Sequence, residues 1–188
     1  LVILQGIYAR DYAISLTAIA SIILVARLFD TLSDPVIGYL SDRYHAKNGS
    51  RKPFVAAGGL LFTVGSYFLF SPPSQVTEVY FLGFILLFYL GHTLFNIPHY
   101  AWANEISATS QDSTKIYAAR ALMGALGTLA FYSLPQLPIF STSEFTPDVL
   151  QLAVYVGAVL LVPSLYLCLR YVPSSLDSGC GTNKFKNS

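Results

Sequence analysis

Charge is what this sequence has least of. Asp, Glu, Lys and Arg together make up 11% of its 188 residues, where a soluble domain carries about 25%. With 54% of residues hydrophobic and a mean hydropathy of +0.55, no water-soluble core of this size hides the apolar surface. An all-α, polytopic membrane protein is expected instead. The little charge present is balanced. Eleven basic against ten acidic residues leave +1, so there is no basic excess to attract nucleic acid. Cysteine is scarce as well: Cys168 sits in an apolar run and Cys180 in a polar tail, which makes neither a disulfide frame nor a metal knuckle. An H-E-x-x-H helix and a G-x-S-x-G elbow are both missing, so an intramembrane enzyme has no motif behind it. No n-region or cleavage site precedes the first apolar residues; Leu1 reads as a chain cut inside a helix, not as a signal peptide.

Missing basic residues also set the topology. The stretch 71–80 and the stretch 135–147 contain no Lys or Arg and belong outside. By contrast 41–52, SDRYHAKNGSRK, carries Arg43, Lys47, Arg51 and Lys52 against Asp42 and belongs in the cytoplasm. Residues 1–8 are too short to span a bilayer, which takes about 20 apolar residues, and read as the remnant of a first helix. Spans are expected over 12–40, 53–70, 80–103, 113–134 and 148–170, with Asp112 or Ser113 capping the fifth element and Thr146-Pro147-Asp148 opening the last. Gly58, Gly59 and Gly65, and later Ala121, Gly124, Ala125 and Gly127, offer close helix contact. Residues 1–172 thus form a helical bundle, and the Ser/Gly/Asn-rich 173–188 a flexible cytoplasmic linker.

Against this background, three charges in one span stand out. Arg27, Asp30 and Asp34 lie in the second half of LTAIASIILVARLFDTLSDPVIGYL (16–40). Each costs about 2.5–3.5 kcal/mol at mid-bilayer, so a helix that keeps three must turn them away from lipid. Their i, i+3, i+7 spacing confines them to an arc of about 60°. Two carboxylates one turn apart are hard oxygen donors suited to Na+ or to a transferable proton, with Arg27 as the alternative compensating charge. The competing reading is an Arg27–Asp30 pair that only helps the helix fold, with Asp34 at the headgroups. Pro35 frees a backbone carbonyl beside Asp34.

Thr93, Asn96 and Tyr100 line one side of the 80–103 span, where hydroxyl, amide and phenol suit a sugar or simply hold helices together. His92 and His99 fit ordinary interhelical hydrogen bonding, or a metal or proton-relay role. Arg120, inside the fifth span, can bind a hydroxyl-rich or anionic substrate or offset the carboxylates, unless it snorkels to the interface. Asp42 with Arg43 or Arg51 is a candidate gating pair beyond its role in topology.

The pattern Arg27-Leu-Phe-Asp30-Thr-Leu-Ser-Asp34-Pro35-Val-Ile-Gly38, followed by Ser41-Asp42-Arg43 and Gly49-Ser-Arg51-Lys52-Pro53, resembles the glycoside-pentoside-hexuronide:cation symporter family. The match continues through Thr93-Leu-Phe-Asn96-Ile-Pro98, Asn104-Glu105-Ile, Ala119-Arg120 and Gly124-Ala-Leu-Gly127. The resemblance implies a major-facilitator fold of two six-helix halves with alternating access. This chain would be the N-terminal six-helix half with helix I truncated and a C-terminal half to follow. It further implies Asp30, Asp34, Thr93 and Asn96 at the cation site, with Asp30 and Asp34 the metal ligands if the ion is Na+, and Arg120, Tyr100 and Asn96 at the sugar. Asn96 stands where a well-known member carries an Asp, and Tyr100 where it carries a Trp. One carboxylate fewer leaves Na+ and H+ both open as coupling ion.

The expected function is therefore secondary active transport in the cell membrane, cation-coupled symport of a glycoside, pentoside or hexuronide, without a cofactor and without covalent chemistry. The full-length protein is expected to be a monomer, and its membrane the cytoplasmic one if the source is bacterial. A carrier of a lysolipid or other amphiphile is the rival within transport. An intramembrane enzyme is the rival outside it.

Overall fold

The structure, a computed structural model, describes residues 2–73, 75–140 and 142–174. The expected linker therefore falls, from residue 175 on and including Cys180, outside the described residues. Within them the chain forms six α-helices: α1 (Val2–Asp11), α2 (Leu16–Asn48), α3 (Lys52–Phe70), α4 (Glu78–Glu105), α5 (Ser110–Ser133) and α6 (Pro147–Tyr171), with a short 3-10 turn over Leu134–Gln136 after α5. Four of them, α2, α3, α4 and α6, are long and apolar enough to cross a membrane. The N-terminal turns of α5 are Ser, Gln, Asp, Thr and Lys, which dilute its apolar character.

Capping chemistry explains most boundaries. Ser15 opens α2 by accepting from the Ala18 N–H at 3.1 Å, and Thr77 opens α4 by accepting from the Tyr80 N–H at 3.2 Å, each satisfying a donor that the first turn leaves free. Although Pro35 lies inside it, α2 runs on without a break to Asn48, eight residues past the expected end. The charged residues 41–48 keep a helix once it leaves the membrane, because water solvates them and nothing there breaks the backbone. The helix stops only at Gly49, whose φ of 67° is a left-handed cap that glycine adopts without strain. Likewise α5 begins at Ser110, not at 113, because Thr109 is the cap: its Oγ1 accepts from the Asp112 N–H at 3.2 Å and lies 2.8 Å from Asp112 Oδ2. Thr146 does precede Pro147 at the start of α6, but its side chain makes no capping bond.

The tightest contact in the bundle is α3 against α4. A Cβ added at Gly58 would stand 2.3 Å from the Phe95 nitrogen, and one at Gly91 would stand 2.3 Å from the Phe62 nitrogen. Two backbones touch there, as small residues allow. Gly59 faces Leu165 of α6. On α5 the small residues find no such partner. Gly124 and Gly127 have nothing within 4 Å among the described residues, and no α5 residue is buried. The main core cluster lies at the end of the bundle that carries α1, where Leu4, Ile7 and Tyr8 of α1 pack on Ile19 and Ile22 of α2 and on Phe81, Ile85 and Tyr89 of α4. There the buried Tyr8 hydroxyl donates to the Leu69 carbonyl at 2.6 Å.

Candidate functional site

The couplet on α2 meets α4 through one residue. Buried Thr93 places its Oγ1 3.0 Å from Asp30 Oδ1 and 3.0 Å from Asp34 Oδ1. A hydroxyl has a single proton, so it donates to only one of the two carboxylates. The other oxygen pair, at hydrogen-bond distance with no proton between them, repels unless a cation or an added proton intervenes. Asp30 is recessed, with 21% of its side chain exposed, whereas Asp34 is exposed. The nearby Ser33 hydroxyl is already used, donating to the Asp30 carbonyl at 3.0 Å. Arg27 is a weak compensator: its Nη1 stands 4.0 Å from Asp30 Oδ2 with 60% of its side chain exposed, a geometry in which an ion pair contributes little. Its guanidinium lies 5.1 Å above the Tyr89 ring.

A second cluster centres on Arg120, which α5 projects onto the face of α4. One guanidinium nitrogen, Nη2, donates to Asn96 Oδ1 and the other, Nη1, pairs with His99 Nδ1. The guanidinium carbon sits 4.0 Å over the Tyr100 ring, a cation–π contact. Tyr117, three residues before Arg120, donates from its hydroxyl to Asn104 Oδ1 at 2.7 Å, and its ring lies 5.8 Å from Tyr100. Thr93, Asn96 and Tyr100 do share a side of α4, but the structure divides them: Thr93 serves the α2 carboxylates, and Asn96 and Tyr100 serve Arg120. The Asn96 oxygen is committed to the guanidinium. His92 packs 6.1 Å from the Phe62 ring.

Where α2 leads into α3, Arg51 is nearly enclosed, with 8% of its side chain exposed. Its Nε donates to Glu105 Oε1 at 2.8 Å, and its Nη1 donates to Ser41 Oγ at 2.9 Å and reaches Asp42 Oδ1 at 2.6 Å. Burial pulls its pKa down, and the bonds and charges of Glu105 and Asp42 outweigh this and hold it above the ordinary value. His45 Nε2 approaches the same Glu105 oxygen at 3.5 Å. Arg43 stands apart: its Nη1 donates to the Tyr39 hydroxyl at 3.4 Å. Of the two candidate pairings it is therefore Asp42 with Arg51 that is in contact, and Glu105, visible in the sequence only as part of a motif, joins them. Beside it Lys52 donates to the Leu169 carbonyl at 2.9 Å, and the Trp102 indole N–H donates to the Pro173 carbonyl at 2.8 Å, fastening the end of α6 to α3 and α4.

Paired carboxylates within a long apolar helix, a guanidinium packed on the helix that holds their shared hydroxyl, and an ion-pair cluster around Arg51 thus lie on one helical bundle. A family model described as MFS/sugar transport protein matches residues 2–177, and the chain belongs to that family of major-facilitator symporters. It is a multi-pass protein of the cell membrane. Among its relatives, the putative glycoside/cation symporter YagG of Escherichia coli K12 is 27% identical over 142 residues, 74% of this chain and 31% of that protein. The isoprimeverose transporter of Lactiplantibacillus pentosus is 24% identical over 143 residues, 73% of this chain and 30% of that protein. The uncharacterized symporter YjmB of Bacillus subtilis is 26% identical over 154 residues, 79% of this chain and 33% of that protein. The chain spans about a third of the length of these curated relatives. No solved structure matches it significantly.

Proposed function

We propose that the chain carries the cation site and part of the sugar site of a cation-coupled sugar symporter that works by alternating access. The observation that carries this reading is the single Thr93 hydroxyl held 3.0 Å from both Asp30 and Asp34. Two carboxylates held on one hydroxyl repel, less strongly than in a fully buried site because Asp34 is exposed, and an arrangement that keeps both there favours binding of Na+ or H+, the cargo ion. These hard oxygens fit either ion. Moving a two-state equilibrium from 1:99 to 99:1 takes about 5.5 kcal/mol of differential binding. Relief of the couplet's repulsion contributes to it, provided that the outward-open state binds the ion better.

Arg120, Asn96 and Tyr100 form the sugar contact. The guanidinium hydrogen-bonds adjacent hydroxyls and the aromatic ring takes an apolar sugar face. The names of the relatives support a small glycoside or pentose-containing disaccharide as the substrate class. Asp42, Arg51 and Glu105 are assigned to the inner gate, a reading supported by the ion pairs of Arg51 with both carboxylates.

The test is counterflow of labelled isoprimeverose, xylose and glucuronate by the full-length protein in vesicles, with Na+ and pH varied separately. Exchange of at least one sugar, stimulated by Na+ or by acid, is expected. Absence of exchange for all three under every condition contradicts the proposal.

A further inference from the structure

We propose that His99 is a positioning residue for substrate recognition, acting through Arg120; this rests on the assignment of Arg120 to the sugar site. An arginine head on a three-carbon stem is free to rotate, and one hydrogen bond leaves it a hinge. Here the head is held at three points of one helix face. Nη2 is on Asn96, Nη1 is on His99, and the π-face lies 4.0 Å over Tyr100. These positions, 96, 99 and 100, are i, i+3 and i+4 on α4 and so stand side by side. Together they fix the guanidinium plane and leave three of its five N–H donors for a ligand.

His99 is itself immobilised. Its ring stacks on Phe95, with centroids 5.3 Å apart and planes 12° from parallel, and meets Trp102 edge-on at 6.3 Å. Trp102 is buried and fastened to Pro173. The anchor for Arg120 is therefore tied to the well-packed cytoplasmic end of α4 and not to the loosely packed α5 that carries the arginine.

The chemistry of the anchor matters as well. To accept from a guanidinium, Nδ1 must be unprotonated, so His99 is neutral with its proton on Nε2. A carboxylate in this place would form a closed ion pair and neutralise the head. A neutral acceptor fixes it and leaves its charge for the ligand, and Arg120 has no carboxylate partner among the described residues.

Two substitutions separate positioning from packing. His99→Phe keeps an aromatic ring for the Phe95 stack and removes the acceptor; His99→Gln keeps a neutral acceptor. In counterflow, by the full-length protein, of whichever of isoprimeverose, xylose and glucuronate it exchanges, His99→Phe is expected to raise the half-saturating sugar concentration about tenfold, with maximal rate per molecule in the membrane within twofold. His99→Gln is expected to stay within about threefold of the unaltered protein on both. Because His99 works through Arg120, adding His99→Phe to Arg120→Ala should change nothing beyond the single Arg120 effect. Additive losses, or His99→Gln as impaired as His99→Phe, or a loss of maximal rate alone, overturn the proposal. If Arg120→Ala weakens sugar binding and His99→Phe does not, only the role of His99 falls. If Arg120→Ala leaves the half-saturating concentration unchanged, or the unaltered protein exchanges none of the three sugars, the sugar-site assignment falls and this inference with it.

Discussion

The contact between α3 and α4 supplies the sharpest structural prediction. Gly58 and Gly91 sit on opposite helices, and a Cβ at either would lie 2.3 Å from a backbone nitrogen of the other. Backbone cannot swing aside as a side chain does, so the helices must separate by about 1 Å to restore ordinary contact. Overpacking of this kind costs about 1–3 kcal/mol, and for an obstacle that is backbone on both sides the upper end applies. Gly58→Ala and Gly91→Ala should each lower the melting temperature of the purified full-length protein by on the order of 5 °C. The double substitution should cost less than the sum, because opening the interface once relieves both clashes. Gly124→Ala is the control: nothing lies within 4 Å of its Cβ position among the described residues, and alanine is the better helix former by about 1 kcal/mol. Thermal unfolding followed by size exclusion in detergent measures all four. Melting temperatures for Gly58→Ala and Gly91→Ala within 1 °C of the unaltered protein would refute the reasoning.

Three further outcomes are expected. Thr93→Val, which keeps the shape and removes the hydroxyl between the carboxylates, should raise the half-activating cation concentration at least tenfold, and Thr93→Ser should restore most of it; ion-titrated counterflow reads both. Glu105→Ala strips a nearly enclosed Arg51 of its better-buried carboxylate, a loss worth about 3 kcal/mol where a buried pair is broken. It should favour the inward-open state, seen as faster labelling from the cytoplasmic side of a cysteine placed at Ser41. Thr109→Ala removes the cap of α5 and should destabilise the protein by about 1 kcal/mol, measured by thermal unfolding.

The couplet was legible in the sequence because the bilayer makes charge expensive: Asp30 and Asp34 one turn apart on an apolar helix have few explanations other than a polar partner. Thr93 was legible as a polar residue of the right span, but its shared contact with both aspartates, at separations of 63 and 59 residues, depends on how α2 and α4 cross. For the same reason Glu105 was not visible as the partner of Arg51, 54 residues away. The motif around Asn104 and Glu105 was its only trace. The run of α2 through Ser41–Asn48 was missed because charge density marks where a helix leaves the membrane, not where it ends. Gly49 carried the stop signal. Thr109, with Asp112 three residues on, was likewise a readable cap that a search from the first apolar turn of α5 passes over. The division of Asn96 and Tyr100 from Thr93 could not be read from spacing at all, since one helix face can serve two neighbours.

The claim on which the account stands is that Asp30 and Asp34 couple an ion to sugar movement, and gradient-driven accumulation tests it most directly. In vesicles with an imposed Na+ or proton gradient, the full-length protein should concentrate the sugar it exchanges, and Asp30→Asn and Asp34→Asn should each lose at least tenfold of that accumulation while the protein remains in the membrane. Full accumulation by both variants would contradict the assignment.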